Sequence, residues 1–365
     1  MIVKLIDNLQ DLDRFKSNWE AVYSGDRDTT IFVSWGWLRA WIDTGACEWA
    51  VLAVQPDSKS PYIAFMPLGI QDNPQRTSRK LFFGCAGHPG ADSTGFVCLP
   101  QYVEKAIPAF ASFIQRNIKW DIFEMRSVFD PRLDLFLKCF LHIDFYVQED
   151  KSNSCPHIML PHKWDQYLND FLSKNTREKL KYYTRKIEGI RDFRVTHAEE
   201  DTLETQIEAL LSLLQKRFGQ RAEDILNRYR AIFRRCFESD CLLLTIFWDG
   251  TIPIAGEAAF VDQKKKIISN FKKAFNDEFA DFRPGHVMTG HVIRYAIENG
   301  FRIYDFGEGD EKYKFSFGAT ERFHRNVNIV PNTFLSSLKK RVPLRVKKLL
   351  RDVYNKNIKK YLTAF

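Results

Sequence analysis

The chain has 365 residues, of which 45% are hydrophobic and 14% aromatic, a composition that supplies apolar cores for two domains of ordinary size and excludes general disorder. The formal net charge of +8 is concentrated in residues 336–365, where ten Lys or Arg accompany one acid, so the rest of the chain is close to neutral, unlike a nucleic-acid-binding domain. No apolar run approaches the roughly 18 residues of a membrane-spanning helix, and residues 1–7 lack the features of a signal peptide, so we expect a soluble, cytoplasmic protein.

In the first half of the chain, strand signals and helix signals alternate. Residues 2–5 predict a strand, and residues 9–23 predict a helix with apolar positions at helical spacing. Three Trp follow at positions 35, 37 and 41, behind Ser34 as a possible helix cap, and they are most simply core aromatics. The remaining signals are strands at 49–54, 62–70, 80–83 and 120–125 and a helix at 102–115.

A polar and irregular stretch at 147–164 predicts a domain boundary. We therefore divide the chain into domains at 1–155 and 156–335 and a basic tail at 336–365. Within the first domain, the Gly-rich segment 84–92 contains His88 and Asp92. These side chains could reach a cleft between the domains, although a plain surface loop is the simpler interpretation.

The second half begins with helices and continues as a strand meander. The signals are helices at 164–188, 203–218 and 225–237, strands at 242–248, 252–261 and 266–275, a helix at 285–299, and strands at 302–306 and 326–330. The middle of the first of these helices is basic, with Lys174, Arg177, Lys179, Lys181, Arg185 and Lys186. It could contact a phosphorylated donor or an anionic acceptor, or it could be a solvated face. The mixture of helices and strands indicates an α+β fold.

Two segments near the end of the second half have the layout of a site at a sheet edge. A Pro284-Gly285 turn opens a helix, and a helix N-terminus favours an anion. A short strand then ends at Asp305, which could orient an acceptor amine, act as a base, or cap the next turn. Lys314 follows Tyr313 and could stabilise charge on an acyl oxygen, or pair with a nearby carboxylate.

Glu257 lies within an otherwise apolar strand signal, where a charge is costly unless it is paired or exposed. By alternation it shares a face with Ala255 and Ala259, which suggests the wall of a groove. Glu257 is therefore a candidate base or acceptor-binding residue.

The order of elements and four motifs resemble the GNAT acyltransferases. The motifs are Ala255-Gly256-Glu257-Ala258-Ala259-Phe260, Asn276-Asp277-Glu278-Phe279-Ala280, Pro284-Gly285, and Asp305-Phe306 followed by Gly309-Asp310-Glu311-Lys312-Tyr313-Lys314. They look like the signature of the branch that includes the CelD cellulose-biosynthesis proteins, in which a proline usually stands at the position of Lys312. The likeness is strongest over about residues 165–330, and the first half resembles the same family more loosely.

This resemblance implies two tandem GNAT-like domains with mixed central sheets flanked by helices, as in the related Fem peptidyltransferases, plus a basic C-terminal helix. It implies an acyl-CoA donor whose pantetheine arm pairs with a splayed strand at 267–275 and whose pyrophosphate lies at the following helix N-terminus. The residues expected at the donor phosphate are Arg283, Pro284, Gly285 and His286. The catalytic candidates are Asp305, Lys314, Tyr313 and Glu257.

The chain departs from the family pattern at two positions of the phosphate loop. In the usual GNAT phosphate loop, small residues stand where this chain has His286 and Met288. The donor could therefore also be an acyl carrier protein or, as in the Fem enzymes, an aminoacyl-tRNA.

We predict an acyltransferase that moves an acyl group from a thioester donor to an amine or hydroxyl of a small molecule or glycan, in polysaccharide or cell-surface biosynthesis. One alternative is a Fem-like transferase that uses aminoacyl-tRNA, the one case in which we expect a nucleic acid partner. The other is a non-catalytic scaffold with the same fold. The basic tail could contact an anionic membrane surface or pack on the body of the protein.

The seven cysteines are scattered, with no Cys-x-x-Cys pair and no His at zinc-ligand spacing, so we expect reduced thiols and no metal site. His286 and His291 lie five residues apart on one predicted helix. They do not share a face, so they are not a metal-binding pair.

Overall fold

The computed structural model describes residues 1–45, 47–73, 78–84, 91–218 and 222–332. The strands are β1 Ile2–Ile6, β2 Glu48–Gln55, β3 Ala64–Asn73, β4 Ser78–Phe83, β5 Val97–Cys98, β6 Ile122–Val128, β7 Phe145–Ser154, β8 His157–Met159, β9 Phe193–His197, β10 Leu242–Asp249, β11 Ile252–Asp262, β12 Ile267–Phe275, β13 Ile303–Asp305 and β14 Phe323–Pro331. The helices are α1 Leu9–Asp13, α2 Lys16–Gly25, α3 Trp35–Asp43, α4 Val103–Asn117, α5 Leu133–Lys138, α6 Trp164–Asp170, α7 Lys174–Glu188, α8 Leu203–Phe218, α9 Ala222–Glu238, α10 Pro284–Glu298 and α11 Lys312–Ser316. The basic tail and residues 85–90 of the Gly-rich loop, including His88, lie outside the described residues.

Two mixed sheets, each flanked by helices, form the framework of the fold. The first sheet has the order β1-β2-β3-β4-β6-β14-β7, with β5 paired to β3, and the second has the order β8-β13-β12-β11-β10-β9. Each sheet contains one parallel pair, β4 with β6 and β12 with β13, among antiparallel neighbours. The prediction of an α+β fold with two mixed sheets in tandem, each flanked by helices, is confirmed. No helix in the described ranges combines the length and apolar composition needed to cross a membrane.

The last strand, β14, belongs to the first sheet. We expected the strand signal at 326–330 to complete the second half, and this expectation is wrong: β14 inserts between β6 and β7. The stretch 147–164, which we interpreted as irregular, contains most of strand β7 and all of strand β8 instead. The polar sequence of β7 reflects its position at a sheet edge, where most of its side chains are at least partly exposed.

An aromatic core joins the two halves. Trp37 of α3 is fully buried, and its ring lies 4.9 Å from that of Phe260 on β11 and 5.7 Å from that of Phe271 on β12. Trp35 and Trp41 are buried as well. The prediction that these Trp are core residues is confirmed, and the core that they build spans both sheets.

Buried polar contacts reinforce this junction. The Tyr23 hydroxyl of α2 donates a hydrogen bond of 2.5 Å to Asp262 at the end of β11. Lys265 donates from Nζ to the Thr29 carbonyl oxygen at 2.8 Å and lies over the Tyr23 ring at 4.1 Å. Because these partners are buried or half-buried, the contacts fix the first half against the edge of the second sheet.

Candidate active site

The second sheet opens into a fork between β12 and β13. The two strands pair in parallel at three positions only, from Ile267 opposite Ile303 to Ser269 opposite Asp305. Beyond Ser269, β12 continues to Phe275 paired with β11 on its other side. Among the described residues, no strand pairs with the open edge of β12 at 270–275. An extended ligand with amide groups could add to such an edge as a further strand.

A cleft of about 730 Å³ adjoins this open edge. Its floor and one wall come from β12 and the start of α10, and the opposite wall comes from α7. The lining includes Asn175, Thr176, Lys179, Tyr183, Lys273, Phe275, Arg283, Pro284, Gly285, His286, Tyr313 and Ser316. The four residues predicted at the donor phosphate therefore line one cleft together with Tyr313, and the predicted basic helix borders it.

The N-terminus of α10 offers few free backbone donors. Arg283 caps the helix in a left-handed conformation, with φ of 49°, and Pro284 has no N–H group. The N–H groups of His286 and Val287 both donate to the Arg283 carbonyl oxygen, at 3.0 and 3.2 Å. In this turn the N–H of Gly285 alone is left without an acceptor among the described residues. A Cβ at Gly285 would lie 3.2 Å from the Phe275 ring, so a small residue is needed there.

Positive charge in the cleft comes from side chains instead. Burial, helped by the charges of the neighbouring Lys273, Lys179 and Arg283, lowers the pKa of His286 to about 4. The imidazole is therefore neutral at pH 7, and its Nε2 is buried without a hydrogen-bond partner in the described part of the chain. Three cations around a neutral ring make the cleft suitable for an anionic group.

Glu257 and Lys273 form a buried polar pair beneath this cleft. They stand opposite each other on β11 and β12, with Oε2 and Nζ 4.0 Å apart. Glu257 is fully buried, and its Oε1 accepts a hydrogen bond of 2.8 Å from the Tyr304 hydroxyl, whereas Oε2 has no hydrogen-bond partner among the described residues. Lys273 donates to the Thr289 hydroxyl. Burial lowers the pKa of Lys273, and the charge of Glu257 opposes that shift.

Tyr313 stands over Lys273, with Nζ 4.8 Å from the centre of its ring. Burial raises the pKa of Tyr313 well above its ordinary value, and the nearby carboxylates of Glu257 and Glu311 raise it further. The phenol is therefore protonated at neutral pH. This places a potential proton donor and a cation at the same wall of the cleft.

Lys314 pairs with a nearby carboxylate, which is one of the two alternatives that its sequence context left open. Its buried Nζ donates to the carbonyl oxygens of Gly307, Glu308 and Gly309, at 3.2, 2.9 and 3.1 Å, and lies 2.9 Å from Glu311. An ammonium group has three donors, so none is left for an acyl oxygen. The geometry agrees with the carboxylate-pairing alternative rather than with the oxyanion-stabilising one, and makes Lys314 the residue that shapes the loop between β13 and α11.

Asp305 ends β13 with both carboxylate oxygens engaged. Oδ1 accepts from the Gly307 N–H at 2.9 Å, and Oδ2 accepts from the Arg322 guanidinium. This agrees with the turn-capping alternative. A second carboxylate lies beside it, because Asp92 of the first half packs against Gly307, next to the Asn270 carbonyl at the mouth of the fork, and accepts a hydrogen bond from the backbone N–H of Glu308.

Asp92 faces the fork from the first half. Its pKa is raised to about 6, mainly by burial and also by the charges of Asp305 and Glu308, whereas Lys272 opposes the shift. Lys272 lies over the Phe271 ring at 4.2 Å, in the core that joins the two halves. The two adjacent lysines of β12 therefore lie on opposite faces of the sheet. Lys272 faces Asp92, and Lys273 faces α10.

Sequence reasoning missed Lys273, Tyr304 and Thr289 and left Asp92 as a loop residue. Two consecutive lysines inside a strand signal were the available clue, because charge in a buried strand requires partners. The partners themselves could not be assigned, since the pairing shifts by one residue between Ala258 and Ala259.

His291 lines a second cleft, of about 590 Å³, on the other flank of α7. His286 and His291 thus line different clefts, in agreement with the prediction that they do not share a face of the helix. Across the described ranges, no group of three or more His, Cys, Asp or Glu side chains is placed to hold a metal ion.

The comparisons with known proteins agree with this geometry. Residues 174–315 match the model of the acetyltransferase (GNAT) domain family. The match runs from α7 to α11 and includes all of the predicted site residues. This part of the chain, fewer than half of its residues, is therefore similar to a GNAT acetyltransferase domain. No curated protein matches the sequence.

Solved structures extend the likeness to both halves. FemX is 16% identical, with a TM-score of 0.65 over 92% of this chain and 99% of its own. The L-PGS of Bacillus licheniformis is 9% identical, with a TM-score of 0.52 over 94% and 96% of the two chains. A tandem GNAT protein from the clavulanic acid biosynthesis pathway is 10% identical, with a TM-score of 0.50 over 90% and 98%. At these identities the likeness establishes a shared tandem GNAT-like fold and nothing finer.

Proposed function

We propose that the protein is an acyltransferase that moves an acyl group from a pantetheine thioester to an amine or hydroxyl. The observation that carries this proposal is the open edge of β12 at 270–275, which leads from a cationic cleft to the fork with β13. Pantetheine contains two amide groups, and these could pair with the free backbone groups of that edge. The donor phosphate would then lie near Lys179 and Arg283, and the thioester near the fork.

The acceptor would approach from the first half, where Asp92 faces the fork. Asp92, with a pKa of about 6, is mostly ionised at pH 7 and is suited to take the proton that the attacking amine or hydroxyl loses. The nucleophile forms a bond to the thioester carbon as the carbon–sulfur bond breaks. Lys273 would stabilise charge on the acyl oxygen, and Tyr313 could protonate the departing thiolate.

The nature of the acceptor is the finer part of the proposal. We infer a sugar or another cell-surface building block, and the support for this is the resemblance of the 305–314 motif to the CelD branch. Fem-like use of aminoacyl-tRNA and a non-catalytic scaffold are the competing functions.

Donor turnover tests the proposal directly. We expect purified protein to release thiol from acetyl-CoA in the presence of a panel of primary amines and amino sugars, and acetyl-CoA to raise the melting temperature. Asp92→Asn and Lys273→Met should each lower turnover at least tenfold, whereas Asp310→Asn, at an exposed carboxylate of the same loop region, should not. Stabilisation by charged tRNA instead, or by neither donor, would favour the Fem-like or the scaffold function.

A further inference from the structure

Helix α7 exposes several basic side chains. Its exposed side chains include Lys174, Lys179, Lys181, Arg185 and Lys186, and Tyr182 between them is 56% exposed. Within the described parts of the chain, Lys174, Lys179 and Lys181 have no carboxylate within ion-pairing distance. Such a face is attractive to an anionic partner.

The basic side chains of α7 border two different clefts. Asn175, Thr176 and Lys179 line the cleft, whereas Lys181 and Arg185 lie on the far flank of α7, at the mouth of the second cleft. From Thr176 to Arg185 the helix rises by roughly 14 Å. Lys181 and Arg185 therefore lie outside the donor cleft, where they are free to contact the macromolecule that bears the donor.

The start of α10 suits one phosphate better than a pyrophosphate. Gly285 offers a single free N–H, because Pro284 has none and the next two donors bond to Arg283. A phosphopantetheine arm carries one phosphate, whereas coenzyme A carries a pyrophosphate and a further phosphate. The open edge of β12 also favours an arm with amide groups, which the acceptor end of a tRNA lacks.

We propose that the donor thioester is presented by an acidic acyl carrier protein that docks on the exposed face of α7. This inference rests on the proposed acyl transfer and names its donor. The 4′-phosphopantetheine arm enters the cleft between α7 and α10, with its phosphate near Lys179, Arg283 and the Gly285 N–H. The acyl carbon forms its new bond to the acceptor as its bond to sulfur breaks, and the arm leaves as the thiol on the carrier.

Charge reversal on α7 tests the docking surface. Initial rates are measured with an acetyl- or octanoyl-loaded acidic carrier protein and with the matching acyl-CoA, for wild type and for Lys181→Glu/Arg185→Glu. The matched control is Lys105→Glu/Arg116→Glu, which makes the same charge change on the exposed face of α4 in the first half. Circular dichroism checks that both variants are folded.

The ratio of kcat/KM for the carrier-bound donor to that for acyl-CoA should be well above one in wild type. It should fall at least tenfold in the α7 variant, through KM, and should not change in the α4 variant. The advantage of the carrier-bound donor should also shrink as salt is raised from 50 to 300 mM. Transfer from acyl-CoA but not from the carrier, or an equal loss with both donors in the α7 variant, would overturn this inference alone. Transfer from neither thioester in wild type would overturn the proposed function itself.

Discussion

Glu257 and Lys273 form an ion pair inside the second sheet, with their charged atoms 4.0 Å apart on neighbouring strands and Glu257 fully buried. The pair holds an ammonium group at the wall of the donor cleft. Burial lowers the pKa of Lys273, and the charge of Glu257 opposes that shift and so favours the protonated ammonium.

Glu257→Gln should therefore weaken acyl transfer through Lys273. Glutamine retains an acceptor for the Tyr304 hydroxyl but removes the counter-charge, so the pKa of Lys273 falls. We expect kcat to drop about 10- to 100-fold, with a larger deficit at pH 8 than at pH 6 because the neutral form of Lys273 gains with pH. Rate measurements across this range test the prediction. The exposed control Glu298→Gln should match wild type, and a pH-independent deficit would argue against the coupling.

Gly285→Ala should weaken donor binding while leaving the stability of the fold nearly unchanged. The new Cβ would lie 3.2 Å from the Phe275 ring, which lines the cleft, and would displace it. Alanine is favoured over glycine in a helix by about 1 kcal/mol, so the free energy of unfolding should stay within about that amount of wild type. Donor affinity, measured by calorimetry, should fall several-fold. Phe275→Leu in the same chain should restore part of it, and no recovery would show that the ring contact is not the cause.

Arg132→Met should strongly destabilise the first half. The buried Arg132 guanidinium pairs with Asp26 and with Asp130, both at 2.7 Å, and both acids are buried as well. Losing the cation leaves two unpaired buried carboxylates, at a cost of about 3–5 kcal/mol. Urea denaturation measures this loss. The comparison is Arg294→Met, which breaks an exposed pair with Glu298 and should cost no more than about 0.5 kcal/mol.

Asp92→Asn should change how stability depends on pH. In the folded protein the pKa of Asp92 is raised to about 6 from 3.8, so the folded state holds this proton more tightly than the unfolded state. The free energy of unfolding that this bound proton contributes is present at about pH 4 and is lost as the pH rises through 6. Wild type loses this contribution as the pH rises from 4 to 8, and the variant does not. The free energy of unfolding of the variant should thus rise relative to that of wild type by up to about 3 kcal/mol over this range. Denaturation at both pH values, with Asp310→Asn as the control, measures the change; a constant difference would contradict the shifted pKa.

Local signals predicted much of the second half. The Asp249-Gly250 turn, the three-strand meander and the Pro284 start of α10 depend on neighbouring residues, and the structure has each of them. Glu257 could be singled out because a charge in an apolar strand requires a partner.

Which lysine of β12 pairs with Glu257 depends on the strand register, and the local sequence does not determine that register. Simple alternation from Ile268, which faces the α10 core, would turn Lys272 toward Glu257. The extra residue at Phe271 shifts the register, so Lys273 faces Glu257 and Lys272 faces the first half. The saturation of Lys314 by loop carbonyls and the approach of Asp92 to Gly307 are likewise contacts set by tertiary structure.

The insertion of β14 between β6 and β7 also determines when the protein can fold during synthesis. Neighbouring strands are about 4.8 Å apart, so without β14 a gap of roughly 10 Å would separate β6 from β7. The first sheet cannot close until residue 331 has left the ribosome, although most of its strands emerge before residue 155. A nascent chain stalled in the second half should therefore hold its first half incomplete, with the inner edges of β6 and β7 unpaired and available to chaperones.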